Sequence, residues 1–205
     1  MPMKIYEKYV KRCTDLCVIV LSMPLFVPLL ILISLFILVT MGRPILFLQK
    51  RIGYKGSSMN IIKFRSMAEV YDLNGNLLPD MERVTRLGSF LRKSSLDELP
   101  NLINVFLGQL SLVGPRPLLC EYMPLYSPEQ ARRHDVRPGI TGWAQINGRN
   151  SISWSEKFKL DIWYVNNISF LLDLKIIIYT ILKVIKRTDI NQNESMTMEK
   201  FNGRN

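Results

Sequence analysis

Adjacent carboxylates at Asp97 and Glu98 interrupt a basic stretch. They are the only acids between Glu82 and Glu121, and Arg83, Arg86, Arg92 and Lys93 precede them. A carboxylate can attack phosphorus or carry a divalent cation. A solvated acidic pair is the ordinary alternative, and the surrounding cations weigh against it. On a helix, neighbouring side chains point about 100° apart. Pro100 disfavours helix at Leu99, so the pair is expected at a helix boundary.

Two further constellations could handle anions. In Ser111-Leu-Val-Gly-Pro-Arg-Pro117, prolines fix the backbone on both sides of Arg116. A guanidinium presented rigidly suits bidentate phosphate binding; a plain turn with a surface Arg is the competing reading. In Arg137-Pro-Gly-Ile-Thr-Gly-Trp-Ala-Gln-Ile-Asn-Gly-Arg149, glycines let backbone N–H groups approach an anion and Trp143 offers an apolar wall. No Walker loop or dinucleotide fingerprint is present, so this reads only as a loop able to hold a nucleotide. Lys63-Phe-Arg65 adds cations upstream.

The elements that must position these residues begin with a membrane segment. Leu16 to Val39 is nearly all Leu, Ile, Val and Phe, with no charge between Asp15 and Arg43. That length suits a membrane helix, and the sequence after it lacks a signal-peptide cleavage site. Ser22 and Pro24 predict a kink there, with the Ser hydroxyl pairing a freed carbonyl. Lys4, Lys8, Lys11 and Arg12 precede the segment; Arg43, Lys50, Arg51, Lys55, Lys63 and Arg65 follow it. Lys and Arg favour the cytoplasmic side. Both flanks satisfy that rule only if both stay there, which predicts a bent, re-entrant helix over about 13–40. A straight spanning helix is the alternative.

Downstream, Gly53–Ser58 reads as the turn of a small hairpin between Ile45-Phe47 and Asn60-Phe64. Val84–Leu96 has the pattern of an amphipathic helix, Pro100 starts another, and Ser153–Tyr164 is helical in pattern. Phe170–Ile185 places Lys175, Lys183 and Lys186 on one arc, as in an interfacial helix; a core helix competes with that reading. The expected fold is α+β and mostly helical. It comprises one domain over 1–205: the re-entrant helix, interfacial amphipathic helices, a catalytic part with a minor β-hairpin over 41–187, and a loose tail over 188–205.

Composition narrows the class. The chain has 205 residues, 48% of them hydrophobic and 21% charged, and a net charge of +10. Such a chain seeks polyanions. The basic residues flank apolar segments and form no nucleic-acid-binding motif, so no nucleic-acid partner is expected. One histidine and three cysteines without CxxC spacing argue against zinc and against a disulfide framework. Any metal would be a hard cation on oxygen ligands. From the residues alone, this is a membrane-bound site for a phosphorylated, lipid-linked substrate.

Four ordered strings carry a resemblance. They are Lys63-Phe-Arg-Ser-Met67, Thr85 through Pro100, Ser111 through Pro117 and Val136 through Arg149. They resemble the small monotopic phosphoglycosyl transferases of bacteria, the initiating sugar transferases, and look most like the Campylobacter-type PglC branch of protein N-glycosylation. The resemblance implies an enzyme on the cytoplasmic face of the bacterial inner membrane. It would move a phosphosugar from a UDP-sugar, UDP-N,N′-diacetylbacillosamine by this likeness, to undecaprenyl phosphate. Asp97 would form the covalent phosphosugar intermediate with release of UMP, and Mg²⁺ would bind near Asp97 and Glu98. Lys63, Arg92 and Arg116 become phosphate ligands and Arg149 a nucleotide ligand. Membrane lipid and downstream glycosyltransferases would be partners. Many relatives carry Gly-Asp where this chain has Gly108-Gln109, which puts any role of that position in doubt. Two other functions compete: a membrane-tethered scaffold, which would not need Asp97, and a glycosyltransferase releasing UDP, for which Asp80-Met-Glu82 is a weak metal-binding echo.

Overall fold

The computed structural model describes residues 5–148, 151–186, 199–203 and 205. A long first helix, α1 (Lys11–Met41), follows a π-helical turn at Tyr6–Val10. An antiparallel hairpin comes next, β1 (Leu46–Ile52) and β2 (Ser58–Phe64), with Leu46 opposite Phe64 and Ile52 opposite Ser58. The short helices α2 (Asp80–Arg83), α3 (Arg86–Lys93) and α4 (Asn101–Phe106) follow. Then come β3 (Ser111–Val113), α5 (Pro128–Ala131), β4 (Gly139–Thr141) and α6 (Trp143–Ile146). Two longer helices, α7 (Trp154–Asn167) and α8 (Phe170–Lys186), complete the order.

Local chemistry explains most boundaries. The hairpin turns through Lys55 and Gly56 at positive φ. Thr85 caps α3 by accepting from Gly88 N, and Ser153 caps α7 in a reciprocal capping box with Glu156. Pro100 sits at the N-cap of α4, where its missing N–H costs nothing. The hairpin, the amphipathic α3, and the helices at 101, 154 and 170 agree with the sequence expectation. The parallel pairing of β3 with β4 was not expected: each strand has three residues, too few to show a period. Gly139 is needed there because an added Cβ would lie 2.1 Å from Gly114 N.

α1 lies along the rest of the protein. Lys11, Asp15, Ile19, Phe26, Ile33 and Ile37 form one buried stripe. Ile19 and Phe26 pack with Met59, Ile61, Val105 and Leu110, whereas Ile33 and Ile37 pack with Phe64 and Leu91. Its start is held by Lys11 Nζ on Asp173 Oδ2 at 2.5 Å and by Ser111 Oγ on Asp15 Oδ2 at 2.7 Å. Its end is held by Arg65, which donates to the carbonyls of Met41, Gly42 and Arg43. Lys11 and Arg65, counted above as flanking charge, therefore also clamp the helix. Helical structure runs through Pro24 and Pro28. Ser22 Oγ donates to Val18 O and Ile19 O, so it does not serve the Val20 carbonyl that Pro24 leaves without a donor.

α8 has one buried side and one exposed apolar side. Asp173 and Ile176 are buried on one side, while Leu171, Ile178 and Leu182 are exposed on the other. The tail expectation is corrected at one point. Phe201 is buried against Tyr122, Trp154 and Phe158, because its ring completes an aromatic cluster that the polar residues around it do not announce.

Candidate active site

The acidic pair sits in a 3₁₀ turn, Leu96–Glu98, between α3 and α4. Ser95, at φ 58°, makes the left-handed step that turns the chain out of α3. Three elements bring the partners in. β2 supplies Lys63, whose strand is fixed when Ile62 N donates to Asn101 Oδ1 and Asn104 Oδ1, both at 3.1 Å. Gln109 Oε1 accepts from Asn104 Nδ2 at 2.6 Å, so Gln109 braces this clamp and is not in contact with the acids. The rigid turn after β3 supplies Arg116, and its carbonyl accepts from Arg133 Nη2 at 2.8 Å. Arg133 is in turn paired with Asp161 at 2.7 Å in the interior.

The two carboxylates have opposite environments. Glu98 Oε1 accepts from Lys63 Nζ at 2.6 Å and from Arg116 Nη2 at 2.5 Å, and Oε2 accepts from Arg116 Nη1 at 3.3 Å. Burial opposes its ionisation, but Arg116 and Lys63 outweigh that and hold its carboxyl well below the usual range. Asp97 is 9% exposed and has no hydrogen-bond partner among the described residues. Burial first, then the charge of Glu98, push its pKa up, against the pull of Lys63, Arg116 and Arg92. One acid is thus fixed as a structural anion, and the other is a bare carboxyl with free lone pairs. Environments that push two carboxyls apart mark different chemical roles.

Asp97 faces a cavity of about 520 Å³ that Lys63, Arg65, Arg92 and Arg51 also line. Arg92 Nε donates to Ser66 Oγ at 2.9 Å, which fixes its direction along the cavity wall. α3 can approach this segment because it carries Gly88, where a Cβ would lie 1.8 Å from Ser66 O. The sequence reading missed Arg51 and Ser66. The alternation Phe47, Gln49, Arg51 on the hairpin, all on one face with Lys63, was the available signal for Arg51.

The expected residues divide as follows. Asp97, Glu98, Lys63 and Arg92 line one cavity, and Arg116 joins them through its pair with Glu98. Ser22 and Pro24 lie in α1, apart from the site. Arg149 lies outside the described residues. In the third constellation Gly139–Thr141 is a strand, Trp143 stacks on Trp163 at 4.7 Å with Lys175 over its ring, and Ile140, Thr141, Gln145 and Ile146 line a second cavity beside Glu98. Among the described residues no group of three or more His, Cys, Asp or Glu could hold a metal. Asp97, Glu98 and Glu69 are the carboxylates lining the cavity, the first two being adjacent in the turn. Mg²⁺ commonly takes one or two carboxylates and completes its shell with water and substrate phosphate, so the pair fits a Mg²⁺ that arrives with a diphosphate.

A buried bare carboxyl, an arginine-rich cavity beside it and a helix long and apolar enough to cross a membrane are the features of this protein. The chain belongs to the bacterial sugar transferase family, whose sequence model matches residues 6–187. It is 57% identical over 162 residues to the uncharacterized sugar transferase EpsL of Bacillus subtilis, covering 79% of this chain and 80% of that one. It is 37% identical over 194 residues to the UDP-N-acetylgalactosamine-undecaprenyl-phosphate N-acetylgalactosaminephosphotransferase of Aeromonas hydrophila, covering 90% of this chain and 45% of that protein. It is 36% identical over 192 residues to the UDP-glucose:undecaprenyl-phosphate glucose-1-phosphate transferase of Escherichia coli, covering 89% and 41% respectively. The chain thus spans less than half the length of the two relatives with named activities.

Proposed function

We propose that this protein transfers a phosphosugar from a UDP-sugar to undecaprenyl phosphate on the cytoplasmic face of a bacterial inner membrane, the first membrane step of glycoconjugate assembly. The observation that carries this reading is Asp97, buried and bare, facing a cation-lined cavity beside Glu98, which is ion-paired to Lys63 and Arg116. The names of the relatives support the two substrates.

In the first step, an Asp97 carboxylate oxygen attacks the phosphorus that bears the sugar. The bond from that phosphorus to the bridging oxygen breaks, and UMP leaves with the electron pair. In the second step, a phosphate oxygen of the acceptor attacks the same phosphorus, and the carboxylate of Asp97 departs. No proton transfer is required of a base, because the attacking form is the ionised acid. Lys63 and Arg116, aligned by Glu98, and Arg92, aligned by Ser66, face the phosphate charge. Mg²⁺ at Asp97 and Glu98, when bound, supplies neutralisation of the diphosphate. Arg149 is proposed as a nucleotide ligand.

The packing of α1 supports a re-entrant or in-plane placement. Both its ends are tied to one body, Lys11 to Asp173 and Met41 to Arg65, whereas a spanning helix has its ends on opposite sides. The donor proposed from the Campylobacter-type likeness is UDP-N,N′-diacetylbacillosamine, which would place the protein in N-linked glycosylation and beside the glycosyltransferases that extend its product. Purified protein, undecaprenyl phosphate and Mg²⁺ with a panel of UDP-sugars test all of this. Release of UMP specific to one sugar and lost in Asp97→Asn is expected. Release of UDP, or activity indifferent to Asp97, would overturn the reading.

A further inference from the structure

A second cavity, of about 190 Å³, borders the catalytic turn. It shares Ser95 and Glu98 with the first cavity, but Leu99 lines it and Asp97 does not. Its walls are apolar in effect. Leu99, Leu102, Ile140, Ile146 and Val184 contribute side chains. Thr141 and Thr180 also line it, but their hydroxyls are paired with each other at 2.7 Å, and Thr180 Oγ1 also donates to Ile176 O. Gln145 also lines it, with both amide atoms buried and unpartnered among the described residues, and these are left to meet a ligand's headgroup. Three cations, Lys93, Lys183 and Arg116, stand on the same walls. Apolar lining with cationic groups fits an anion carried on a hydrocarbon chain.

The place of the cavity in the fold adds a direction. Val184 both lines it and is 44% exposed, one turn beyond the exposed Ile181, so the cavity opens at this edge of α8. A lipid could therefore enter sideways from the hydrocarbon layer. Arg116, held by Glu98 at 2.5 Å, belongs to both this cavity and the site.

We propose that this cavity seats the first isoprene units of the polyprenol phosphate acceptor, with the phosphate directed along Arg116 toward Asp97. The inference rests on the transferase reading above. It assigns α8 a direct role in acceptor binding and leaves the nucleotide sugar to the larger polar cavity.

Two measurements test it. In Val184→Trp, the apparent KM for undecaprenyl phosphate should rise roughly tenfold or more, the scale of blocking a hydrophobic pocket, while the KM for the UDP-sugar stays within about twofold. An unchanged acceptor KM, or equal loss toward both substrates, overturns the inference. The second uses wild-type protein and needs no turnover: a photoreactive undecaprenyl phosphate analogue in phosphatidylglycerol vesicles, with the labelled peptides mapped. Labels within 93–102 or 176–186, competed by undecaprenyl phosphate, are expected. Labels confined to α1, or labels within 176–186 that excess phosphatidylglycerol removes and undecaprenyl phosphate does not, would assign the cavity to no lipid or to bulk phospholipid. Absence of UMP release from the wild-type protein would sink the transferase reading itself, an outcome distinct from both.

Discussion

Asp97 and Glu98 are neighbours in sequence and opposites in role, and the difference has measurable consequences. Burial and the charge of Glu98 raise the pKa of Asp97, so its ionisation is harder in the native state than in the unfolded chain. Ionising it costs folding free energy as pH rises through the unfolded value, near 4, toward the native one. Asp97→Asn should therefore abolish UMP release and raise the melting temperature at pH 7, by about 2–4 °C for each kcal/mol recovered. Calorimetry beside the activity assay checks both; a lower melting temperature would contradict the burial argument. The same shift places the acid limb of the kcat/KM profile, which reports the free enzyme, above the ordinary aspartate range, because activity disappears as Asp97 protonates. For Glu98 the sign reverses: its carboxyl stays ionised below that range, so it contributes no limb there. Glu98→Gln leaves Lys63 and Arg116 without their shared anion. It should cost about 3–5 kcal/mol, the scale of breaking a buried pair, reduced by the partial exposure of Arg116. The pair itself was legible because the surrounding stretch is basic. Which of its members is bare was not, since that depends on Lys63, 35 positions away.

At the scale of elements, the site depends on how closely α3 meets the segment after β2. Gly88 sits where a Cβ would overlap the backbone of Ser66. Gly88→Ala favours helix in isolation by about 1 kcal/mol, yet here it must push α3 off that segment and move Arg92 away from Ser66. The expected outcome is a loss of stability and a rise in the KM for the UDP-sugar, while Ser89→Ala in the same helix does neither. Kinetics on the two variants separate contact from propensity. Elements with their own pattern or punctuation were readable: the Gly53–Ser58 turn, the amphipathic run that contains α3, the Pro100 start and the helical pattern from Ser153. Those whose order comes from distant partners were not. β3 and β4 exist because Ser111 N bonds Pro138 O and Gly114 N bonds Thr141 O, and three residues hold no pattern. Phe201 likewise is placed by the cluster of Tyr122, Trp154 and Phe158, which no local sequence signal predicts.

For the whole molecule, the decisive relation is between α1 and everything it touches. At about 1.5 Å per residue, its 31 residues exceed the roughly 30 Å of a bilayer's hydrocarbon. Its buried stripe nevertheless runs from Lys11 to Ile37 against the hairpin, α3, α4 and α8, with Leu21, Leu25 and Val39 exposed on the other side. One face of the helix therefore packs on the protein and the other is apolar and exposed, and separating its ends across a membrane would break both clamps. With Cys13 and Cys17 replaced by Ser, a Tyr9→Cys label site lies before the helix and native Cys120 lies after it; Tyr9 and Cys120 are both exposed. A membrane-impermeant maleimide should reach both positions in inverted vesicles and neither in right-side-out ones. Reaction of Tyr9→Cys only from the opposite side to Cys120 would mean a spanning helix. The Lys11–Asp173 pair supplies the energetic counterpart. Asp173→Asn leaves Lys11 buried beside Tyr6 and Tyr164 without its anion, and such a loss costs about 3–5 kcal/mol. If the docked start of α1 holds the membrane placement, that variant should unfold earlier and also make Tyr9→Cys less uniform in its labelling. A stable variant with unchanged labelling would show that lipid alone orients the helix.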